Sequence, residues 1–582
     1  MGRAVATILG AASLRRSISR VVFPAVAILV VAACATPATQ RDSTISGSSA
    51  SQDATRSAAN RSLTVAFRYE LTSMSPKTAQ AASGQMQQLF NAGLAIFDGR
   101  GESHAQLAAA LPKLDTDTWR VLPDGKMETT YALRPNGTWH DGQPLTADDF
   151  VFAWQVYTDA GLGFSAKPQD QIEEIVAVDP RTVMMRWKSL YPDAGELAFD
   201  FVPLPKPILE PSFAAYRQSG DAQAFLNQAY WTTAFVGVGP YRLLSWEPGA
   251  QLEAAAFEGY ALGKPNIARL IVKIVGDENT TLASIMADQI ELAMENTMRF
   301  EHALTLKQDW VPVSRGVVGI RTSNVITNVV QFRPEFQKEP GMMDKRVRQA
   351  MAWAIDKQSL QEGLYAGEGN IAVAAMSSDD RFYPEVDRRV NRYAYDPRRS
   401  EQLMTDAGYA KDREGYFALP NGDRFRPEFQ VLAGTTFERG QAIITDGWWK
   451  AGIQVQPAVM SAVQVRDNQA RATFPGIGML LVGVGAQDTF TTSTIGTAAN
   501  RWSGGNRGGW SSPEYDQTYV AFNTALNRSD RSNLAVQLMN LVNEEVPGFP
   551  MYFDVKVLAY IAKLTGPDHG NPLWNIHTWQ MS

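Results

Sequence analysis

Apolar and polar positions change period several times along the chain, and each change predicts an element. Leu63, Val65, Phe67 and Tyr69 alternate with Thr64, Ala66 and Arg68, the period of two that marks a strand. Further strands are predicted as hairpins. Pro123-Asp124-Gly125 precedes the run Met127 to Leu133, Asn136-Gly137 and Asp141-Gly142 supply tight turns, and Glu247-Pro248-Gly249 joins Tyr241–Trp246 to Gln251–Phe257. Helical spacing takes over after Thr146-Ala147-Asp148-Asp149, where a capping hydroxyl and two carboxylates precede Phe150, Ala153, Trp154 and Tyr157. Asp344 is positioned to cap a helix with Val347, Ala350, Met351, Ala354 and Ile355 on one face, and Asp396-Pro397 opens another that ends at Gly408. Strands and helices mix from residue 62 to 582 without an internal repeat, which predicts α/β lobes built from discontinuous segments.

The first 61 residues follow another pattern. Residues 1 to 33 hold four arginines, no acid and an apolar run from Val21 to Ala33, too short to span a bilayer and suited to an export signal. The run ends at Val31-Ala32-Ala33-Cys34, a lipobox-like sequence carrying the chain's one cysteine, so Cys34 is the expected lipidation point. Arg15-Arg16 loosely resembles a twin-arginine signal, leaving the export route open between the general and twin-arginine systems. Residues 35 to 61 are Ser, Thr, Ala, Gln and Asn with almost no large apolar side chain, the composition of a flexible tether.

Composition narrows the function classes. With 582 residues, 45% hydrophobic and 20% charged, the chain has a globular balance, and its net charge of −6 argues against a nucleic-acid binder. Without residues 1 to 33, 50 basic and 60 acidic residues give −10. The single cysteine excludes an intrachain disulfide framework.

Catalytic signatures are missing: there is no GxxxxGK, GxGxxG, GxSxG, HExxH or paired CxxC pattern. The five histidines stand at 104, 140, 302, 569 and 577, never closer than eight residues, so no metal or cofactor is expected. Asp148 and Asp149 fit helix N-terminal duty better than glycosidase chemistry, and His140, between Trp139 and Asp141, fits a turn or packing residue. An exported hydrolase with unpatterned carboxylates is the reading left from another class.

Four ordered segments resemble the extracytoplasmic solute-binding proteins of family five, the oligopeptide- and dipeptide-binding lipoproteins of ABC importers. They are Tyr131 to Phe150 (YALRPNGTWHDGQPLTADDF); Gly237-Val-Gly-Pro-Tyr241 with Gly259-Tyr260 and Gly263-Lys264-Pro265; Asp344 to Asp356 with Tyr395-Asp-Pro397 and Ala407-Gly408-Tyr409; and Gly452-Ile453, Pro513-Glu-Tyr-Asp516, Val546-Pro547 and Pro550-Met-Tyr552. The resemblance implies an α/β, two-lobed, type II periplasmic-binding-protein-like fold with an inserted subdomain. Lobe I is expected at 62–105, 238–330 and 553–582, the insertion at 106–237 and lobe II at 331–552, with crossings near Pro240 and near 330.

The same resemblance implies a non-catalytic, lipid-anchored, monomeric protein on the outer face of the cytoplasmic membrane, in the periplasm or at the cell surface. It would capture an oligopeptide between closing lobes and deliver it to ABC permease subunits. Oligosaccharide, opine or nickel-chelate binding is the alternative within the fold. Family peptide binders hold the ligand's α-ammonium on a second-lobe Asp; Asp488 occupies that place, with Gly485 where Trp is common, and a loop-capping role is the competing reading of Asp488. Tyr69, Glu70 and Ser73 belong to a loop resembling the family's cleft-lining segment, with Ser75 where Asp is usual. The glycine-rich loop from Trp502 to Trp510 resembles a mobile cleft loop, and its Arg507, like Arg501, is a candidate for a ligand carboxylate, with surface solvation as the other reading.

Overall fold

The computed structural model describes residues 62–75, 77, 84–164, 167–369, 371–461 and 463–582. The basic leader, Cys34 and the tether lie outside the described residues.

Strand β1 (Ser62–Phe67) forms as its alternation predicts. The chain then builds a separate four-stranded antiparallel sheet from β2 (Trp119–Val121), β3 (Met127–Ala132), β4 (Ile172–Asp179) and β5 (Thr182–Trp187), in the order β2-β3-β5-β4. It returns as the hairpin β6 (Tyr241–Glu247) and β7 (Gln251–Ala256), turning at Gly249 with φ +78°, a conformation that glycine adopts freely. Strands β8 (Arg269–Ile274), β9 (Leu292–Ala293), β10 (Gly316–Val330), β11 (Glu428–Leu432), β12 (Gln456–Met460), β13 (Ile477–Val482) and β14 (Gly548–Ile561) follow. Among the described residues the main sheet has ten strands, in the order β12-β11-β13-β10-β14-β9-β1-β8-β7-β6.

Side-chain alternation along these strands explains the layering. In the first lobe Leu63, Val65, Leu292, Leu558 and Tyr560 face one core, and Ala66, Ala293, Val557 and Ala559 face the other. On the second-lobe side of the sheet Ile326, Val330, Ile477, Met479 and Phe549 lie on one face, and Val325, Val329, Leu480, Val482 and Phe553 on the other. Each lobe is therefore a sheet buried on both faces.

Helices cover those faces. The inserted sheet and α1 (Ala147–Tyr157) share the large first-lobe core, while α2 (Glu278–Met286) and α3 (Phe300–Trp310) cover the opposite face with Ile285, Leu306 and Trp310. In the second lobe, α4 (Lys345–Trp353), α5 (Lys357–Tyr365) and α6 (Thr435–Ala451) bury Met351, Leu360 and Trp448 on one side. On the other, α7 (Pro513–Thr524) and α8 (Arg528–Glu545) bury Tyr515, Val536 and Met539. Full burial of one such side chain contributes about 1.5–3 kcal/mol.

Caps read from the sequence are in place. Asp344 accepts from the Arg346 amide at 2.8 Å, and Asp396 accepts from the amides of Arg398 and Arg399. The Asp149 carboxylate accepts from the Thr146 amide at 2.9 Å, the Lys206 amide at 3.0 Å and the Trp139 indole at 3.2 Å. It is a buried helix-start residue whose acceptor sites are taken.

The passage between lobes differs from the sequence expectation at one point. The strands running between the two halves of the sheet are β10 and β14, whose pairing slips between Thr322 and Val325. Pro240 instead belongs to the close approach of Gly237 and Gly239 to the Phe90 backbone, where an added Cβ would strike main-chain atoms. His140 seals that join: Nδ1 accepts from the Gly237 amide at 3.2 Å, and Nε2 donates to the Gly239 carbonyl at 3.0 Å.

Candidate functional site

Parallel strands β1, β8 and β11 end toward the junction of the lobes, and the residues after them line one cavity of about 360 Å³. Ligands of open α/β sheets bind outside the carboxyl ends of such strands. Arg68 and Tyr69 follow β1, Glu278 opens α2 after β8, and Gly434 to Phe437 follow β11. Tyr365 closes the second-lobe side, and Tyr552 contributes from the returning strand β14. Lobe closure over this space would exclude water and strengthen each polar contact inside it.

The cavity's charges are arranged in pairs. Glu278, whose side chain is 9% exposed, lies between the guanidiniums of Arg68 and Arg299. Arg439 of the second lobe reaches Glu301 of the first at 3.4 Å. Burial pushes the Tyr365 and Tyr552 hydroxyls far above the usual tyrosine range, so both stay protonated donors.

A second polar system lies at the passage between lobes. Glu295, 3% exposed, receives the Arg321 guanidinium at 2.7 and 2.9 Å, and Arg321 also pairs with Asp379, which accepts from the Ser323 hydroxyl at 2.6 Å. Burial works against the Arg321 charge, but Glu295 and Asp379 outweigh it and hold the guanidinium above its usual range. The next two residues continue the connection. Asp380 accepts from the Gly485 amide and the Gln487 amide side chain, and Arg381 reaches Glu196 of the inserted subdomain at 2.6 Å.

Two further pairs cross the same seam. Arg531 meets Asp193 at 2.7 Å with its guanidinium between the rings of Phe382 and Phe522, and Arg528 holds Glu102 through two bonds of 2.8 and 2.9 Å. All three cations, Arg381, Arg528 and Arg531, lie on the second lobe, and all their carboxylates lie across the seam. Sequence reasoning missed these residues. The polar run Ser377 to Arg381, set between Ala372–Met376 and Phe382–Tyr383, was the signal available.

The structure spreads the sequence-derived candidates over several places. Tyr69 is 43% exposed at the cavity, beneath the Arg68 guanidinium. Glu70 accepts from the Gly249 amide at 2.6 Å and the Trp246 indole at 3.3 Å, fastening the loop to the β6–β7 hairpin. The Ser73 hydroxyl accepts from the Ser75 amide, and its carbonyl accepts from Gln87, a loop-shaping pattern.

Gly485 has φ +71° and starts the turn that presents Asp488. Asp488 is half-buried in the short turn Gln487–Phe490; its carbonyl accepts from the Thr491 and Thr494 hydroxyls, while its carboxylate has no partner among the described residues. Asp488 does not line the 360 Å³ cavity. Trp502 packs on Phe336 at 6.0 Å, under Arg333. Arg507 is half-buried; burial first, and Arg471 second, lower its pKa to about 10, and its Nη1 has no hydrogen-bond partner among the described residues.

Among the described residues, no group of three or more His, Cys, Asp or Glu is placed to hold a metal ion. No helix among them is long and apolar enough to cross a membrane.

Comparison with known proteins places these features. The family model for bacterial extracellular solute-binding proteins, family 5 (middle), matches residues 110–502. A Brucella ovis protein named for ABC-transporter peptide binding is 25% identical over 297 residues, 50% of this chain and 51% of its own, so the chain spans about half that relative's length. Heme-binding protein A of Haemophilus influenzae is 22% identical over 91% of this chain and 93% of its own. The oligopeptide binding protein of Thermus thermophilus, solved with a pentapeptide, superposes with a TM-score of 0.69 at 20% identity, covering 90% of this chain and 96% of its own. NikZ of Campylobacter jejuni, solved with Ni(L-His), gives the same TM-score and identity over 90% and 99%. At these identities the structural likeness is one of fold: two lobes of type II periplasmic-binding-protein architecture with an inserted subdomain.

Proposed function

Because the chain belongs to the bacterial extracellular solute-binding proteins of family 5, we propose that it is the ligand-capturing component of an ABC importer, closing its two lobes on oligopeptides without turning them over. The observation that carries this reading is the 360 Å³ cavity fed by both lobes across two long strands. Its size is at the lower end of the range for small-ligand sites, roughly 300–1,000 Å³. Peptide specificity is supported by relatives that include the dipeptide-binding protein of Escherichia coli and oligopeptide-binding AppA of Bacillus subtilis.

Within that reading Tyr69 touches the ligand from the first lobe at this cavity, and Asp488, presented by Gly485 outside the cavity, meets the ligand's α-ammonium from the second lobe where the ligand extends beyond it. The unpartnered carboxylate of Asp488 supports this assignment over loop capping, because a capping Asp spends its oxygens on nearby amides. Glu70 and Ser73 hold the first-lobe loop, and Trp502 and Arg507 stiffen the second lobe. We assign lobe I to 62–105, 238–330 and 553–582, the insertion to 106–237 and lobe II to 331–552.

Residues 1–33 direct export, and lipidated Cys34 with its tether keeps a monomeric domain on the outer face of the cytoplasmic membrane near the permease. Native mass spectrometry of gently purified protein tests the function: a bound mass of peptide, released on denaturation, supports it, and a bound sugar, chelate or hydrolysed product replaces it.

A further inference from the structure

A larger cavity, about 770 Å³, lies wholly in the second lobe at the start of α5. Its wall includes Lys357, Arg392, Ile371 and the aromatic rings of Tyr383, Tyr393 and Tyr395. The acids beside it are already occupied. Asp356 accepts from the Gln358 and Ser359 amides and the Ser359 hydroxyl, and Asp387 faces Arg392 at 3.3 Å and the Tyr383 hydroxyl at 3.3 Å. Lys357 is different: its ammonium donates to the Ala372 carbonyl at 2.6 Å and to no carboxylate among the described residues.

Burial, reinforced by the like charge of Arg392, brings the Lys357 pKa down to about 8. A half-buried cation without a carboxylate partner is partly desolvated, and a bound anion would offset that cost.

We propose that this cavity is a second binding site, taking a small aromatic carboxylate whose charge pairs with Lys357 and whose ring packs among the three tyrosines. An ammonium with donors to spare fits a carboxylate, and the volume and tyrosine walls suit a ring better than a bare inorganic ion. The site also touches the cleft through backbone: Ile371 bridges Tyr552, which lines the inter-lobe cavity.

Benzoate is the probe, used on the full chain. Lys357 acetylation by a limiting amine reagent, read by peptide mass spectrometry, is expected to fall roughly tenfold at a benzoate concentration ten times its Kd, with other lysines unchanged. Acetate and phosphate are expected to protect weakly. Unchanged labelling of Lys357 overturns the proposal, and equal protection by phosphate overturns its aromatic part.

Saturation-transfer NMR supplies the variant arm. Lys357→Arg is expected to keep benzoate binding and Lys357→Met to lose it, each with its melting temperature checked; persistence in Lys357→Met refutes the site. Displacement of benzoate by a cleft-binding peptide would assign benzoate to the inter-lobe cavity and also refute it. Peptide binding measured separately keeps the two sites distinguishable.

Discussion

At the scale of single residues, polar partners decide which acids serve structure and which are available to a ligand. Asp149 and Asp380 have their oxygens engaged, whereas the Asp488 carboxylate has no partner among the described residues. Asp488→Asn is therefore expected to leave the melting temperature within about 1 °C while weakening peptide binding by a factor on the order of 10 or more, the worth of one charge-assisted hydrogen bond; calorimetric titration checks it. Arg321 is the opposite case. Arg321→Met leaves Glu295 buried without a counter-ion, so a loss of about 3 kcal/mol in chemical denaturation is expected. The sequence named Asp488 through resemblance but not Arg321, whose partners Glu295 and Asp379 are 26 and 58 residues away in the chain.

At the scale of elements, local chemistry was the legible part. Caps at Thr146, Asp344 and Asp396, the turn at Gly249 and the alternation of β1 all form where nearest-neighbour physics puts them. His140 was legible as a packing residue, but not as the clamp joining the inserted sheet to Gly237 and Gly239, about 100 residues later. Burial is the main reason its pKa stands near 4 against an ordinary 6.5; the Gly239 carbonyl opposes the shift and Arg242 adds to it. Between those values the unfolded chain binds the proton and the folded one does not. His140's contribution is thus complete above pH 6.5 and lost as pH falls toward 4, by roughly 3 kcal/mol in all. Urea midpoints at pH 7 and pH 4.5 are expected to differ less in His140→Gln than in the wild type; an equal difference would remove His140 as the source.

At the scale of the whole molecule, fold class and the existence of two lobes were legible, because the resembling segments run almost the length of the folded chain. The seam was not: Arg531 meets Asp193 across 338 residues and Arg528 meets Glu102 across 426, distances over which sequence pattern carries no pairing information. Arg531 is nearly buried between two rings, so its pair with Asp193 should count for more than an exposed ion pair. A double-mutant cycle of Arg531→Met with Asp193→Asn is expected to give a coupling of about 1–2 kcal/mol in ligand affinity, expressed chiefly in the off-rate. Zero coupling would make the seam a passive contact.

On the proposed function, ligand is captured by closure of the lobes. Small-angle X-ray scattering during titration with a peptide that native mass spectrometry identifies tests it most directly. The radius of gyration is expected to fall and to saturate at one peptide per chain. Saturable peptide binding with no change in the scattering curve would contradict it.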